Sequence, residues 1–200
     1  NGTIMLASAL PDLTNNGTLT ITGNGAANTI ISGNNAVRVF SVDTSANVTL
    51  NSLTVTGGNV SDNFGGGIRN EGTLTVNNST ISGNAATFGG GGIYSNRRKT
   101  LTVTNSIISS NSSNTGGGIR SDSPLTMMVT NSIISGNSVT NDGGGILITG
   151  DDINTLTVTN SIISNNSATN NGGGIYAESF DLLTVTVTNS TFSGNSATSG

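Results

Sequence analysis

The sequence predicts an all-β solenoid, a single-stranded parallel β-helix of about seven coils with three short strands in each. Three observations carry the prediction. The composition suits strands and turns: Asn (30), Thr (31), Ser (27) and Gly (29) supply 117 of 200 residues, against 16 charged and 7 aromatic ones. A four-residue alternating motif recurs along the chain, starting at Thr18, Asn47, Thr73, Thr100, Thr126, Thr155 and Thr184, at intervals of 26 to 29 residues. The five copies from Asn47 to Thr155 are each followed by a second apolar segment ending in a turn and then by a run of glycines. A propeller blade needs four strands and about 40 residues, and a leucine-rich repeat needs a helical signal; neither is present.

The first strand of each repeat is the alternating run, as in Thr100-Leu101-Thr102-Val103. Its period of two places Leu and Val on a buried face and Thr on the other. The second strand is read from segments such as Asn131-Ser132-Ile133-Ile134-Ser135-Gly136-Asn137. The third follows the glycines, as in Gly116-Gly117-Gly118-Ile119, where the backbone is expected to turn sharply. Stacking at about 4.8 Å aligns equivalent residues into ladders along a rod roughly 34 Å long. Leu74, Leu101, Met127, Leu156 and Val185 form one core column, Val76 to Val187 the next, and Ile81 to Phe192 a third. Residues 47–200 are regular and residues 1–46 less so, within one domain or segment.

Asn recurs at two turns. Asn78, Asn105, Asn131, Asn160 and Asn189 follow the first strand, and Asn84, Asn111, Asn137, Asn166 and Asn195 follow the second. Such residues accept left-handed backbone and can bond their amides to equivalents above and below, a scaffold role.

Composition excludes several functions. The chain has no Cys and no His, so it has no disulfide framework and lacks the commonest general base and metal ligand. A net charge of −4, with basic residues clustered only at Arg97-Arg98-Lys99, gives no footprint for nucleic acid. No apolar stretch approaches the roughly 20 residues of a membrane helix, and the chain opens without a signal-peptide pattern. No cofactor is expected.

The paired motifs Gly-Gly-Gly-Ile and Ile-Ser-Gly-Asn, the latter appearing as Phe192-Ser193-Gly194-Asn195, resemble the GGA(I/L/V) and FxxN motifs of chlamydial polymorphic outer-membrane proteins and of bacterial β-helix surface proteins with the same repeats. The resemblance covers residues 47–200 well. Here Gly replaces the family's Ala, and Ile mostly replaces its Phe. It implies a right-handed β-helix, extracellular or on the cell surface, acting as an adhesive or structural module toward a cell surface or glycan.

Four surfaces are candidates for contact. Outward threonines of the first strand (Thr73, Thr75, Thr100, Thr102, Thr104, Thr126, Thr130, Thr155, Thr157, Thr159, Thr184, Thr186, Thr188) form a grid similar to the ice-binding faces of β-solenoid antifreeze proteins, interrupted by Asn47, Asn51, Asn77 and Met128. Thr is also a favoured residue of any exposed strand face. Ile107, Ile133 and Ile162 form a thin apolar stripe between Thr80 and Thr191. After the glycines, Arg69, Tyr94, Arg120, Leu147 and Tyr176 are expected to point outward in one column, where Arg and Tyr can stack as cation–π pairs or hold a sugar. Many right-handed β-helices are pectate or alginate lyases, which need clustered acids and a base; Asp43, Asp62, Asp122, Asp142 and Asp181 are dispersed, and only Asp151-Asp152 are adjacent, so an enzyme is not expected.

The ends complete the reading. The segment Thr3-Ile4-Met5-Leu6 reads like the strand that follows the glycines, and Thr198-Ser199-Gly200 stops where that strand is due. Two readings of these ends stand side by side: copies stack head to tail, one supplying the strand the other lacks, or residues 1–200 are a piece of a longer β-helix.

Overall fold

In the computed structural model, which describes residues 2–14, 17–96, 98–123, 126–150 and 154–199, the strands of successive coils stack into four parallel sheets. One regular coil shows how. Thr100–Thr104 alternates half-buried threonines with the fully buried Leu101 and Val103. A two-residue corner leads into Ile107–Ser109, and a second turn into the short strand Ser112–Ser113. The glycine run then returns the chain to Ile119–Asp122. The three expected strands are thus joined by a fourth, two residues long, which builds a sheet of its own.

The four sheets are named here by their residues. The threonine sheet has seven strands, from Thr18–Thr22 to Leu183–Thr188. The isoleucine sheet has eight, from Gly2–Met5 to Thr191–Ser193. The short sheet and the glycine sheet, whose strands follow the glycine runs, have six each.

Register follows the repeat. Leu19, Val48, Leu74, Leu101, Met127, Leu156 and Val185 are consecutive partners. Ile31, Val55, Ile81, Ile108, Ile134, Ile163 and Phe192 form the inward column of the isoleucine sheet. Phe40, Ile68, Ile93, Ile119 and Ile146 close the core from the glycine sheet. Full burial of such a side chain is worth about 1.5–3 kcal/mol, and each column repeats that gain once per interior coil.

The glycine runs do two different jobs. The first glycine turns the chain: Gly116 has φ of 57°, which favours a residue without Cβ. The next permits close approach, since a Cβ on Gly117 would lie 2.7 Å from the Gly144 carbonyl oxygen. The hydrogen bonds here share one direction. Gly116, Gly117, Gly118 and Ile119 all donate their N–H to the following coil, at Asp142, Gly143, Gly144 and Gly145, over 2.9–3.1 Å. An ordinary β-strand would alternate.

Candidate functional surfaces

The buried polar residues set the rigidity on which any surface depends. Asn84, Asn111, Asn137, Asn166 and Asn195 stand inside the turn before the short strand, each of the first four no more than 1% exposed. Each of those four donates Nδ2–H to the Oδ1 of the Asn one coil on, at 2.9–3.0 Å. Asn137 Nδ2 also donates to the Ile108 carbonyl at 3.0 Å, and its Oδ1 accepts the backbone N–H of Asn111 at 3.0 Å. Both amide hydrogens and the oxygen are satisfied, which a buried polar network requires.

The other asparagine column works through its backbone. Asn78, Asn105, Asn131, Asn160 and Asn189 have φ of 48–50° and exposed side chains, turning the corner between the threonine and isoleucine sheets. Beside them runs a serine ladder that the repeat analysis did not single out. Ser79, Ser106, Ser132 and Ser161 are 2% exposed. The backbone N–H of each donates to the hydroxyl of the next coil's serine at 3.1 Å. Its signal is visible in hindsight, a Ser directly after every corner Asn from Asn78 onward.

The threonine grid lies in three outward columns. The middle one runs Thr20, Thr49, Thr75, Thr102, Met128, Thr157 and Thr186. Its neighbour contains Thr73, Thr100, Thr126, Thr155 and Thr184, and the third Thr104, Thr130, Thr159 and Thr188 beyond Asn51 and Asn77. From Thr73 to Thr159 these threonines are half-buried by their neighbours. Met128 is 40% exposed.

Ile107, Ile133 and Ile162 stack on the outer face of the isoleucine sheet and are 37–42% exposed. Ser109, Ser135 and Ser164 form the adjacent outward column.

The Arg/Tyr column departs from expectation. Arg69, Tyr94, Arg120, Leu147 and Tyr176 do stack in register, but Tyr94 and Leu147 are buried. The physical reason at Tyr94 is the turn before the glycines, whose Phe64 folds over the sheet and stacks on the Tyr94 ring at 4.6 Å. Arg120 consequently sits over Phe64, 4.9 Å from its centroid, instead of over a tyrosine. Asp122 ties the group together, accepting from Tyr94 Oη at 2.9 Å, Arg120 Nε at 2.8 Å and Thr149 Oγ1 at 3.0 Å. Burial, reinforced by the Asp122 carboxylate, holds the Tyr94 phenol well above its ordinary range. Arg69 pairs with Glu71, and Tyr176 donates to Glu178 at 2.9 Å. Burial, then the nearby Arg69 charge, lowers the Arg38 pKa, and Arg38 donates to the Phe64 and Gly65 carbonyls at 2.9 Å.

The dispersed acids stay dispersed. Among the described residues no three His, Cys, Asp or Glu side chains gather where they could hold a metal ion; Asp151 and Asp152 lie outside the described residues, as does Arg97. An open groove of about 550 Å³ runs along the short sheet, lined by Ala85, Ala86, Ser112, Ser113, Asn114 and Thr140 among others. No described helix is long and apolar enough to cross a membrane.

The N-terminal strand also departs from expectation. Thr3, Ile4 and Met5 pair with Ile30, Ile31 and Ser32, so this strand belongs to the isoleucine sheet and not to the glycine sheet. Leu6 follows it and is buried, whereas Ile4 and Met5 are 57% and 63% exposed. The glycine-sheet position in that coil is taken by Leu13, which bridges Val42. At the other end Thr198 and Ser199 are exposed, with Ser199 N–H bonded to the Asn170 carbonyl at 2.8 Å; Gly200 lies outside the described residues.

A family model described as the right handed beta helix region matches residues 89–200, more than half of the chain. The chain belongs to the right-handed β-helix family. Neither a curated protein nor a solved structure matches it. The right-handed β-helix extends past the matched segment, because the same sheets continue to the N-terminal strand with unbroken pairing.

Proposed function

We propose that this β-helix is a non-enzymatic structural and adhesive module, extracellular or displayed on a bacterial cell surface, that contacts a cell surface or glycan. The observation that carries the reading is the pairing of a rigid interior with a repetitive exterior. Asparagine and serine ladders bond each regular coil to the next, and the outward positions of three sheets repeat Thr, Ser, Asn and Ile. Such a surface offers many equivalent weak contacts, whose effect multiplies when several engage together. The motif resemblance to chlamydial polymorphic outer-membrane proteins supports the same reading.

The test couples the chain to beads and challenges them with bacterial and host cells and with neutral and acidic glycans. Retention without formation of unsaturated sugar product is expected. Product formation, with or without Ca²⁺, would replace the adhesive reading with a lyase. Failure to retain any surface or glycan would reject adhesion. Head-to-tail stacking belongs to the proposal in corrected form: the N-terminal strand of one copy would continue the isoleucine sheet of another beyond Thr191–Ser193. Electron microscopy across a concentration series should then show unbranched fibres, and isolated rods throughout would reject it.

A second reading rests on the threonine columns alone. Their regular spacing is that of an ice-binding face, broken at Met128. Thermal hysteresis that disappears in Thr102→Lys would favour it; its absence in the unmodified chain would end it.

A further inference from the structure

The charges of this rod are segregated. Every described Asp, Glu, Lys and Arg lies on the glycine sheet, in a turn flanking it, or in the N-terminal segment that bridges its edge. Arg69, Arg120 and Glu178 stand on the sheet itself, Asp43, Glu71 and Lys99 in the turn that leaves it, and Asp62 and Asp142 in the turn that enters it. Lys99 stays there, donating Nζ–H to the Thr44 carbonyl at 2.9 Å. Among the described residues, the outer faces of the threonine, isoleucine and short sheets, and the two turns that join them, carry no charged side chain. A face meant to remain solvated ordinarily mixes in charges of both signs.

From this we infer that the threonine face pairs with the same face of a second copy, leaving the charged side of each rod in water. Four features fit that occupant. First, a chain of net charge −4 repels its own kind least through a neutral side. Second, Thr hydroxyls each donate and accept, so a threonine surface is self-complementary and leaves no orphaned group when it meets itself. Third, two copies have the same coil spacing, so their ladders are commensurate and can interdigitate as in a dry zipper. Fourth, the area suffices. Five residues at about 3.3 Å and seven strands at about 4.8 Å outline roughly 17 by 34 Å. Pairing two such faces removes about 1,150 Å² counted over both copies, above the roughly 1,000 Å² that a specific interface needs. Met128, 40% exposed on this face, then packs against the partner's threonine methyls. The isoleucine and short sheets remain outward, so the pair presents two equivalent neutral surfaces.

The pairing goes beyond the adhesive reading and does not depend on it. Sedimentation velocity and small-angle scattering of the full chain should show rods of doubled cross-section, whose lateral pairing is unchanged in strength between low and high salt because no charge is involved. Thr102→Lys, at the centre of the face, should weaken the dimer by about 100-fold through a desolvated charge, with an unchanged melting temperature of the dissociated rod. Glu71→Gln, on the charged side, should leave the dimer intact. A monomer at all concentrations would overturn the inference, including one that gives thermal hysteresis or binds neutral polysaccharide through this face. Growth in length with the cross-section of a single rod would also overturn it, since that is head-to-tail assembly without pairing, whereas fibres of doubled cross-section would show both. Loss of adhesion with the dimer intact would reject the adhesive reading alone.

Discussion

The first two coils and the five that follow solve the same turns by different means. From Asn78 to Asn160 each corner is Asn followed by a buried Ser, and from Asn84 to Asn166 each turn into the short strand is occupied by an Asn whose amide reaches the next coil. In the first coil the corner is the longer segment 23–28, and in the second it is Ser52 and the fully buried Leu53. In the second coil the internal Asn is replaced by Gly58. At Gly58 a Cβ would fall 2.2 Å from the Gly66 carbonyl oxygen, so the backbone itself fills the space that the amide occupies later. A turn can be filled by a side chain or by drawing the main chain in. The first choice adds side-chain hydrogen bonds between coils to those that the backbone already makes.

What both regions share is the apolar core, and the largest effect should come from breaking it. Val129→Asp and Val48→Asp each place a carboxylate at a position with no exposure. Both should cost more than about 5 kcal/mol, enough to unfold coils on either side. An unchanged melting temperature in either variant would refute the register assigned to that region. Next is the ladder. Asn137→Ala removes four hydrogen bonds, two made by its Nδ2 and two accepted by its Oδ1. Urea unfolding should register a loss of about 4 kcal/mol, and hydrogen exchange should speed up around the Asn111 and Asn137 turns before it does in the first two coils. A loss confined to a few tenths would show the ladder to be ornamental.

Smaller changes sharpen the contrast. Ser52, with φ of 57°, occupies the corner that Asn fills in later coils. Ser52→Asn should raise stability by about 0.5 kcal/mol, because Asn tolerates left-handed backbone better; a loss would mean that the early corner is not equivalent. Tyr94 gives the mildest test. Its phenol stays protonated in the fold beyond the value it has unfolded. The unfolded chain therefore releases a proton above pH about 10 that the fold retains, and stability declines as pH rises further. Tyr94→Phe should flatten that alkaline decline, and equal slopes in chemical denaturation above and below pH about 10 would dismiss the effect.

The strand columns were legible because period-two alternation and a fixed repeat leave little freedom: Leu101, Val103 and Ile108 could only face inward. Other features lack a local signature. Ser112–Ser113 is too short to show an alternation. The burial of Tyr94 depends on how far Phe64 reaches from a turn, which no periodicity encodes. Thr3 to Met5 resembles the glycine-sheet strand in composition, yet pairing is decided by which edge is free above Thr29–Ser32. On the surfaces, sequence located every threonine of the grid, but the segregation of charge emerged only when the turns were assembled around the rod.

The unidirectional hydrogen bonds of the glycine runs have an electrical consequence. Peptide dipoles normally cancel along a β-sheet, whereas here groups of consecutive N–H bonds point toward the C-terminal end, and the side-chain amides from Asn84 to Asn166 point the same way. Aligned peptide units of about 3.5 D each add, as they do in an α-helix. The rod therefore has a positive pole at its C-terminal end and a negative one at its N-terminal end, and it should orient along an applied field with the sense that its chain direction dictates.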